Sequence, residues 1–233
     1  MRKWFLRIFL AALMLWIGYR VHQRFYYKYF LTNLTLPYSL EEQWEPSPYS
    51  PEIESILSQN FKYLSQGAQA YALASEDGNY ILKIFHYRHY KKLSKKDKLI
   101  NTLNGYTIAY QFLPNESGII YQQLSPDTGL DKSVNVADRL GFSHSIDLRK
   151  VRYIIQKRAA PPHKSHYEQI IALIDKERQL GLYDGDKGVL HNIGFQEDQV
   201  IHFDLGKLRY DPGFCESEAF EIHKSHILAR FPK

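Results

Sequence analysis

The chain has one cysteine in 233 residues, Cys215, which excludes an intrachain disulfide and a zinc site built from several thiolates. A lone thiol fits a reducing compartment. No internal repeat and no low-complexity tract is present, which removes solenoid and fibrous classes. Acid is missing from the whole N-terminal stretch, and the first carboxylate is Glu41. Residues 1–30 carry Arg2, Lys3, Arg7, Arg20, Arg24 and Lys28. The other 24 basic residues face 25 acids, so the net charge of +5 divides into +6 on that segment and −1 on the rest. The pI near 9.0 therefore belongs to the N-terminal segment. Nucleic acid is not expected as a partner, because it needs a basic stripe on the folded domain itself.

What is present is a globular composition, 44% hydrophobic and 15% aromatic, enough for a packed core. The ~200 residues after the N-terminal segment fit one domain, possible in two lobes, since domains run to roughly 100–200 residues.

Trp4 to Tyr19 is apolar apart from Arg7, and Ile8 to Tyr19 carries no charge. Basic and aromatic residues follow from Arg20 to Phe30, the mixture a membrane interface selects. Gly18-Tyr19-Arg20 is a poor signal-peptide cleavage site. Ile8 to Tyr19 lacks the polar face of an interfacial helix. The expectation is a retained single-pass membrane anchor over residues 1–30, with the lipid bilayer as partner. Three basic residues on each side leave its orientation undecided by charge. Residues 31–60, with Pro37, Pro46, Pro48 and Pro51 among Glu41, Glu42 and Glu45, read as a connector. It ends in a short helix opened by the N-cap pair Ser50-Pro51.

From residue 61 the pattern predicts strands over 61–66, 70–75 and 80–85, with Asp77-Gly78 as a hairpin turn. Lys83 lies in a strand that is apolar on both faces, a costly position unless its ammonium has a partner. Residues 88–98 are lysine-rich and read first as a solvated face, with a phospholipid-facing patch as the sharper alternative. A partial helical spacing covers 99–113, and a strand covers 119–124. A hairpin is expected from 134–136 and 142–146 about Arg139-Leu140-Gly141, followed by an apolar stretch at 151–156. Ser165-His166-Tyr167-Glu168 matches a capping box and predicts a helix with Ile170, Ile171, Ile174 and Leu180 inward, ended by Gly181. Val200 to Phe203 reads as a strand with Asp204 at its end, and Ser217 to Phe231 as one helix.

This order of parts carries a resemblance. Leu64 to Ala72 resembles the glycine-rich phosphate loop of the protein-kinase-like fold, with Gly67 as its middle glycine. Lys83 in Ile81-Leu82-Lys83 is similar to the strand lysine that binds the alpha and beta phosphates. Asn192 in His191-Asn192-Ile193-Gly194 resembles the metal-binding asparagine, and Asp204-Leu205-Gly206 the metal-binding Asp-Phe-Gly element. The likeness covers about residues 60–210 and is closest to small, divergent bacterial kinase-like phosphotransferases. It implies an α+β, two-lobed protein-kinase-like fold with a truncated helical lobe, preceded by the N-terminal membrane helix. Residues 61–233 would form the kinase-like domain.

The resemblance further implies ATP and Mg²⁺ as cofactors and an unidentified phosphate acceptor. Gly67, Lys83, Asn192 and Asp204 would bind nucleotide, with Asn192 and Asp204 on the metal through hard oxygens. In the family pattern the base lies five residues before the asparagine, which here is Lys187. Asp186 is the first choice for the base and Asp184 the second. The helix glutamate that pairs with the strand lysine has no evident counterpart, and Gln111 is a weak substitute. Only 27 residues follow Gly206, too few for a full helical lobe. A requirement for ATP implies a domain facing the cytoplasm.

Two other readings compete. One is a catalytically inactive kinase-like module that binds nucleotide or a partner at the membrane. The other is a metal-dependent hydrolase using Asp184, Asp186, His191, His202 and Asp204, with His202 and Asp204 expected on one strand face.

Overall fold

The structure is a computed structural model and describes residues 2–29, 31–41, 44–126, 130–163, 166–186 and 189–229. It is α+β. A seven-stranded sheet holds β1 (Phe61–Gln66), β2 (Ala70–Ser75), β3 (Tyr80–Phe85), β4 (Ile119–Gln123), β5 (Ser133–Ala137), β6 (Ser143–Asp147) and β7 (Tyr153–Lys157). Their order across the sheet is β4-β7-β3-β2-β1-β5-β6. β1, β2 and β3 have the bounds that their alternation and turn residues predict. Gly78 takes φ +77 in the Asp77-Gly78 turn, a conformation that suits a residue without Cβ. The β5–β6 hairpin also forms as expected, with Val134 opposite Ile146. β5 then pairs in parallel with β1 and extends the sheet on that side.

Residues 31–41 and 44–60, within the stretch read above as a connector, pack on this sheet. Ser50 caps α2 (Pro51–Leu57) by accepting from the Ile53 amide, and α2 buries Ile53, Ile56 and Leu57 with Phe61 and Leu73. Farther back, Trp44 is buried and donates from Nε1 to Asn104 Oδ1 at 2.9 Å. Ser47 exchanges two hydrogen bonds with Gln122 of the edge strand β4, so backbone that would otherwise be open is covered.

α3 (Lys96–Phe112) lies across the sheet and joins it to the C-terminal part. Leu99, Leu103 and Tyr106 repeat at helical spacing and share one core with Phe85, Ile154, Leu182, Leu205 and Leu208. Burying side chains of this size contributes ~1.5–3 kcal/mol each. Gly105 sits at the crossing. A Cβ there would lie 2.3 Å from the Leu205 carbonyl oxygen, so only glycine allows this approach.

The C-terminal part is small. β8 (Leu182–Asp184) pairs with β11 (Leu208–Tyr210), and β9 (Ile193–Gln196) with β10 (Gln199–His202). α4 (Tyr167–Gln179), α5 (Pro212–Glu216) and α6 (Glu218–Leu228) pack on these hairpins through Ile170, Leu173, Ile174, Phe220 and Ile227. The tail expected as one helix from Ser217 forms α6, with extended Ser217 as its N-cap, and the short α5 precedes it. α4 begins after His166, which makes no side-chain capping bond. Ser165, the expected cap, lies outside the described residues, as does Lys187.

α1 (Arg2–Tyr29) is a helix of 28 residues. Among the described residues, no helix is long and apolar enough to cross a membrane. The structure thus lends no support to the membrane-spanning helix expected over residues 1–30. Only Ile8 to Tyr19 is free of charge between Arg7 and Arg20. At 1.5 Å per residue that run covers about 18 Å, against ~30 Å of bilayer hydrocarbon. Trp4, Phe5, Ile8, Phe9, Leu15 and Trp16 on α1 are all exposed.

Candidate functional site

A cavity of about 410 Å³ opens between the β1–β3 sheet and the C-terminal hairpins. Its roof is the turn from β1 to β2, and a bulge in the pairing of β1 with β2 lies beside Leu64. The Gly67 amide donates to Ala70 O at 2.9 Å and closes the turn. His86 holds the roof from behind: Nε2 lies 3.1 Å from Gly67 O, and the His86 amide donates to Gln69 O at 2.9 Å. A Cβ on Gly67 would meet no heavy atom closer than 3.8 Å, so this glycine is not demanded by packing.

Leu64, Ala72, Ile81 and Phe203 give the cavity its apolar lining. The same cavity is charged. Lys83, Lys157, Arg158 and Lys207 face Asp186 and Asp204, four cations against two carboxylates. That excess suits an anionic ligand.

Lys83 stands opposite Ala72, whose small side chain leaves the space open. Its Nζ donates to the carbonyl oxygen of Phe203. The ammonium also lies 5.8 Å from the Tyr106 ring centroid and 5.6 Å from that of Phe203. Desolvation between these groups pulls the Lys83 pKa down to about 8, and the Asp204 charge works against that fall. Tyr106, from α3, donates to Asp204 Oδ1 at 3.2 Å. Burial, then the neighbouring Asp204 charge, pushes the Tyr106 phenol well above its ordinary value, so it remains a donor. Gln111 is exposed on α3 and does not line the cavity.

The two aspartates of the Asp-rich loop separate. Asp184, 2% exposed, ends β8 and points into the protein. It accepts from Asn192 Nδ2 at 3.4 Å and from the Asp186 amide at 2.8 Å, and its Oδ2 is 3.2 Å from His202 Nε2. His202 Nδ1 lies 2.8 Å from Glu177 Oε1 on α4. Complete burial disfavours a charged His202, but the carboxylates of Glu177 and Asp184 outweigh it and raise the pKa to about 10. Asp186 instead lines the cavity and accepts from Lys207 Nζ at 2.9 Å.

Of the residues singled out in the sequence, Gly67, Lys83, Asp186, Asn192 and Asp204 share one cavity, and Asp184 supports them from below. The hydrolase constellation does not assemble. His202 is enclosed between Glu177 and Asp184, while His191 is exposed elsewhere. β10 ends at His202, which is fully buried, whereas Asp204 lies beyond the strand and lines the cavity, so the two do not share a strand face. Among the described residues, no group of three His, Cys, Asp or Glu side chains is disposed to hold a metal ion. Sequence reasoning missed Gln69, Tyr106, Phe203 and Lys207. Only Tyr106 had a signal, its helical spacing from Leu99 and Leu103.

The donor set admits one hard cation beside an anionic ligand. Asp204 is open to the cavity, with Oδ1 bonded to Tyr106, and Asn192 uses Nδ2 on Asp184 while lining the same cavity. The carboxylate and the amide oxygen are the donors Mg²⁺ takes, usually with waters and substrate phosphates completing its shell.

No family model and no curated protein sequence matches the chain. Among solved structures it is similar to the Legionella pneumophila Lpg2603 kinase bound to IP6, at 16% identity and a TM-score of 0.37, covering 72% of this chain and 55% of that one. It is also similar to WbdD in complex with the kinase inhibitor LY294002, at 10% identity and a TM-score of 0.36, covering 65% and 34%. Monomeric WbdD matches at 12% identity and a TM-score of 0.37, covering 71% and 38%. The chain thus spans between 34% and 55% of the length of these three.

Proposed function

We propose that this chain is a kinase-like phosphotransferase that uses ATP and Mg²⁺, held at a lipid bilayer by α1 with its cavity on the cytoplasmic side. One observation carries the reading: Lys83 meets the Phe203–Asp204 turn inside a cavity that Gly67 roofs and Asn192 and Asp186 line. Strand lysine, roof glycine and paired oxygen donors converge there although they are far apart in sequence.

The apolar lining of Leu64, Ala72, Ile81 and Phe203 takes the adenine ring. Lys83, drawn from Phe203 O, orients the phosphates, with Lys207 and Arg158 adding positive charge at the rim. Asp204 and Asn192 would hold Mg²⁺, which when bound would offset phosphate charge. Asp186 lines the cavity and receives the proton of the acceptor hydroxyl. As the acceptor oxygen bonds to the γ-phosphorus, the bond from that phosphorus to the bridging oxygen breaks, and ADP leaves with that electron pair. Asp184 does not touch the reactants in this scheme. It positions the Asp186 backbone and the Asn192 amide.

Thermal unfolding of the full chain in detergent tests this. Saturating ATP with Mg²⁺ stabilises the wild type, by about 2.7 kcal/mol at a hundredfold excess over Kd. Lys83→Ala and Asp204→Asn lose most of that gain. No gain in the wild type, or an equal gain in both variants, overturns the reading.

A second reading, a nucleotide-binding module without transfer, is favoured by the ion pair between Asp186 and Lys207, because the ammonium at 2.9 Å occupies the carboxylate oxygen that would meet an acceptor hydroxyl. Phosphate transfer that is lost in Asp186→Asn decides against it.

A further inference from the structure

We propose that residues 88–98 form a surface that binds anionic phospholipid and holds the lip of the cavity against the bilayer. The inference rests on the membrane attachment proposed above and is independent of phosphotransfer.

The segment is one-sided. Its outer face presents Arg88, Lys91, Lys92, Lys95 and Lys98, all exposed, and Asp97 is its single acid. Leu93 stands among these lysines and is 66% exposed. Cations around a protruding apolar side chain match a headgroup layer: ammonium groups meet lipid phosphates and carboxylates, and the leucine enters the acyl boundary. The inner face is anchored. Tyr87 and Tyr90 are buried, and Tyr38 donates from its hydroxyl to Tyr90 O at 2.7 Å.

Two neighbours give the surface its meaning. The Tyr87 amide donates to Asn33 O at 2.7 Å, so the segment lies beside the chain just after α1 ends at Tyr29. The preceding residue, His86, holds Gly67 and Gln69 of the cavity roof. The exit of α1, the basic surface and the cavity roof therefore meet within consecutive residues. Lys96, in the first turn of α3, already pairs with Glu41 at 3.3 Å. Lys98 falls in the same turn, where a cation opposes the helix dipole and an external anion offsets it.

Hydrogen exchange of the full chain tests the surface. The chain is bound to phosphatidylcholine vesicles or to phosphatidylcholine–phosphatidylserine vesicles, at low salt and at about 1 M salt, where screening shortens the Debye length to ~3 Å. A variant joins Lys91→Gln, Lys92→Gln, Lys95→Gln and Lys98→Gln. The expected result is a severalfold slowing of exchange over 88–98 on the anionic vesicles alone, lost in high salt and lost in the variant. Equal exchange on both vesicle types, or slowing that the variant retains, overturns the proposal. Slowing that appears without lipid as protein concentration rises assigns the surface to a second copy and also overturns it. Failure of the chain to sediment with neutral vesicles tells against attachment through α1 instead, and the salt-sensitive slowing on anionic vesicles still decides the basic surface.

Discussion

Gln69 rests on Gly206 so closely that a Cβ on the glycine would lie 2.2 Å from Gln69 Oε1. The roof of the cavity thus touches the turn that carries Asp204. The same Oε1 is buried and has no hydrogen-bond partner among the described residues. Such an atom costs ~1–3 kcal/mol, which the roof recovers when it lifts or when a donor arrives.

The contact predicts a contrast between two glycines. Gly206→Ala meets the end of a flexible side chain, which can swing away, so its cost stays below about 1 kcal/mol. Gly105→Ala meets the backbone oxygen of Leu205 at 2.3 Å and must move α3. It costs about 1–3 kcal/mol even though alanine favours a helix interior by ~1 kcal/mol. Urea unfolding of both variants checks the order.

The pair Asp184 and Asp186 predicts a separation of stability from transfer. Asp184→Asn breaks a buried ion pair with His202 and lowers stability by about 3–5 kcal/mol. Asp186→Asn removes a half-exposed pair with Lys207 and changes stability by about 1 kcal/mol or less. Transfer, however, is lost in Asp186→Asn. Denaturant midpoints set beside phosphate release to an acceptor distinguish the two effects.

Stability should fall with pH between about 6.5 and about 8. The His202 pKa is raised from 6.5 to about 10 in the folded protein, so its contribution is complete below 6.5 and is lost as pH rises through about 10. The slope is at most about 1.4 kcal/mol per pH unit. Lys83 has the opposite sign. Its pKa is depressed from 10.5 to about 8, so the folded state sheds that proton first, and stability gains with pH across that interval. Below about 8 the His202 slope therefore acts without this opposition. His202→Gln should flatten it in guanidinium titrations run across that range.

On the proposed reading, the same depressed Lys83 predicts that nucleotide affinity falls as pH rises beyond about 8, since a neutral amine no longer attracts phosphate. Calorimetric titration with ATP and Mg²⁺ at successive pH values reads this directly. An affinity that stays constant through that range removes Lys83 as the phosphate-orienting charge.

Attachment through α1 predicts a spectral change. Trp4 and Trp16 are 71% and 59% exposed, whereas Trp44 is 7% exposed. Adding phosphatidylcholine vesicles should shift tryptophan emission to shorter wavelength. The shift should disappear in Trp4→Phe, Trp16→Phe.

Much of the local structure follows from the sequence alone. Alternating apolar residues and the Asp77-Gly78 turn determined β1, β2 and β3, and Ser50-Pro51 determined the start of α2, because both depend on neighbours a few residues away. The order Gly67, Lys83, Asn192, Asp204 was legible for a similar reason: Gly67, Asn192 and Asp204 lie beside strand ends or turns, and Lys83 is a charge within an otherwise apolar strand.

Tertiary structure decided the partners. Lys83 bonds to Phe203 across 120 positions and Tyr106 to Asp204 across 98, distances over which no periodicity carries information. It decided that Asp186 faces the cavity while Asp184 turns inward. Along a strand, residues two apart share a face; β8 ends at Asp184, so Asp186 leaves that pattern, and Asp184 turns inward where α4 brings Glu177 and β10 brings His202. It also decided that residues 31–60 belong to the domain, because their proline-rich sequence hides burial that exists only once Trp44 meets Asn104 and Ser47 meets Gln122.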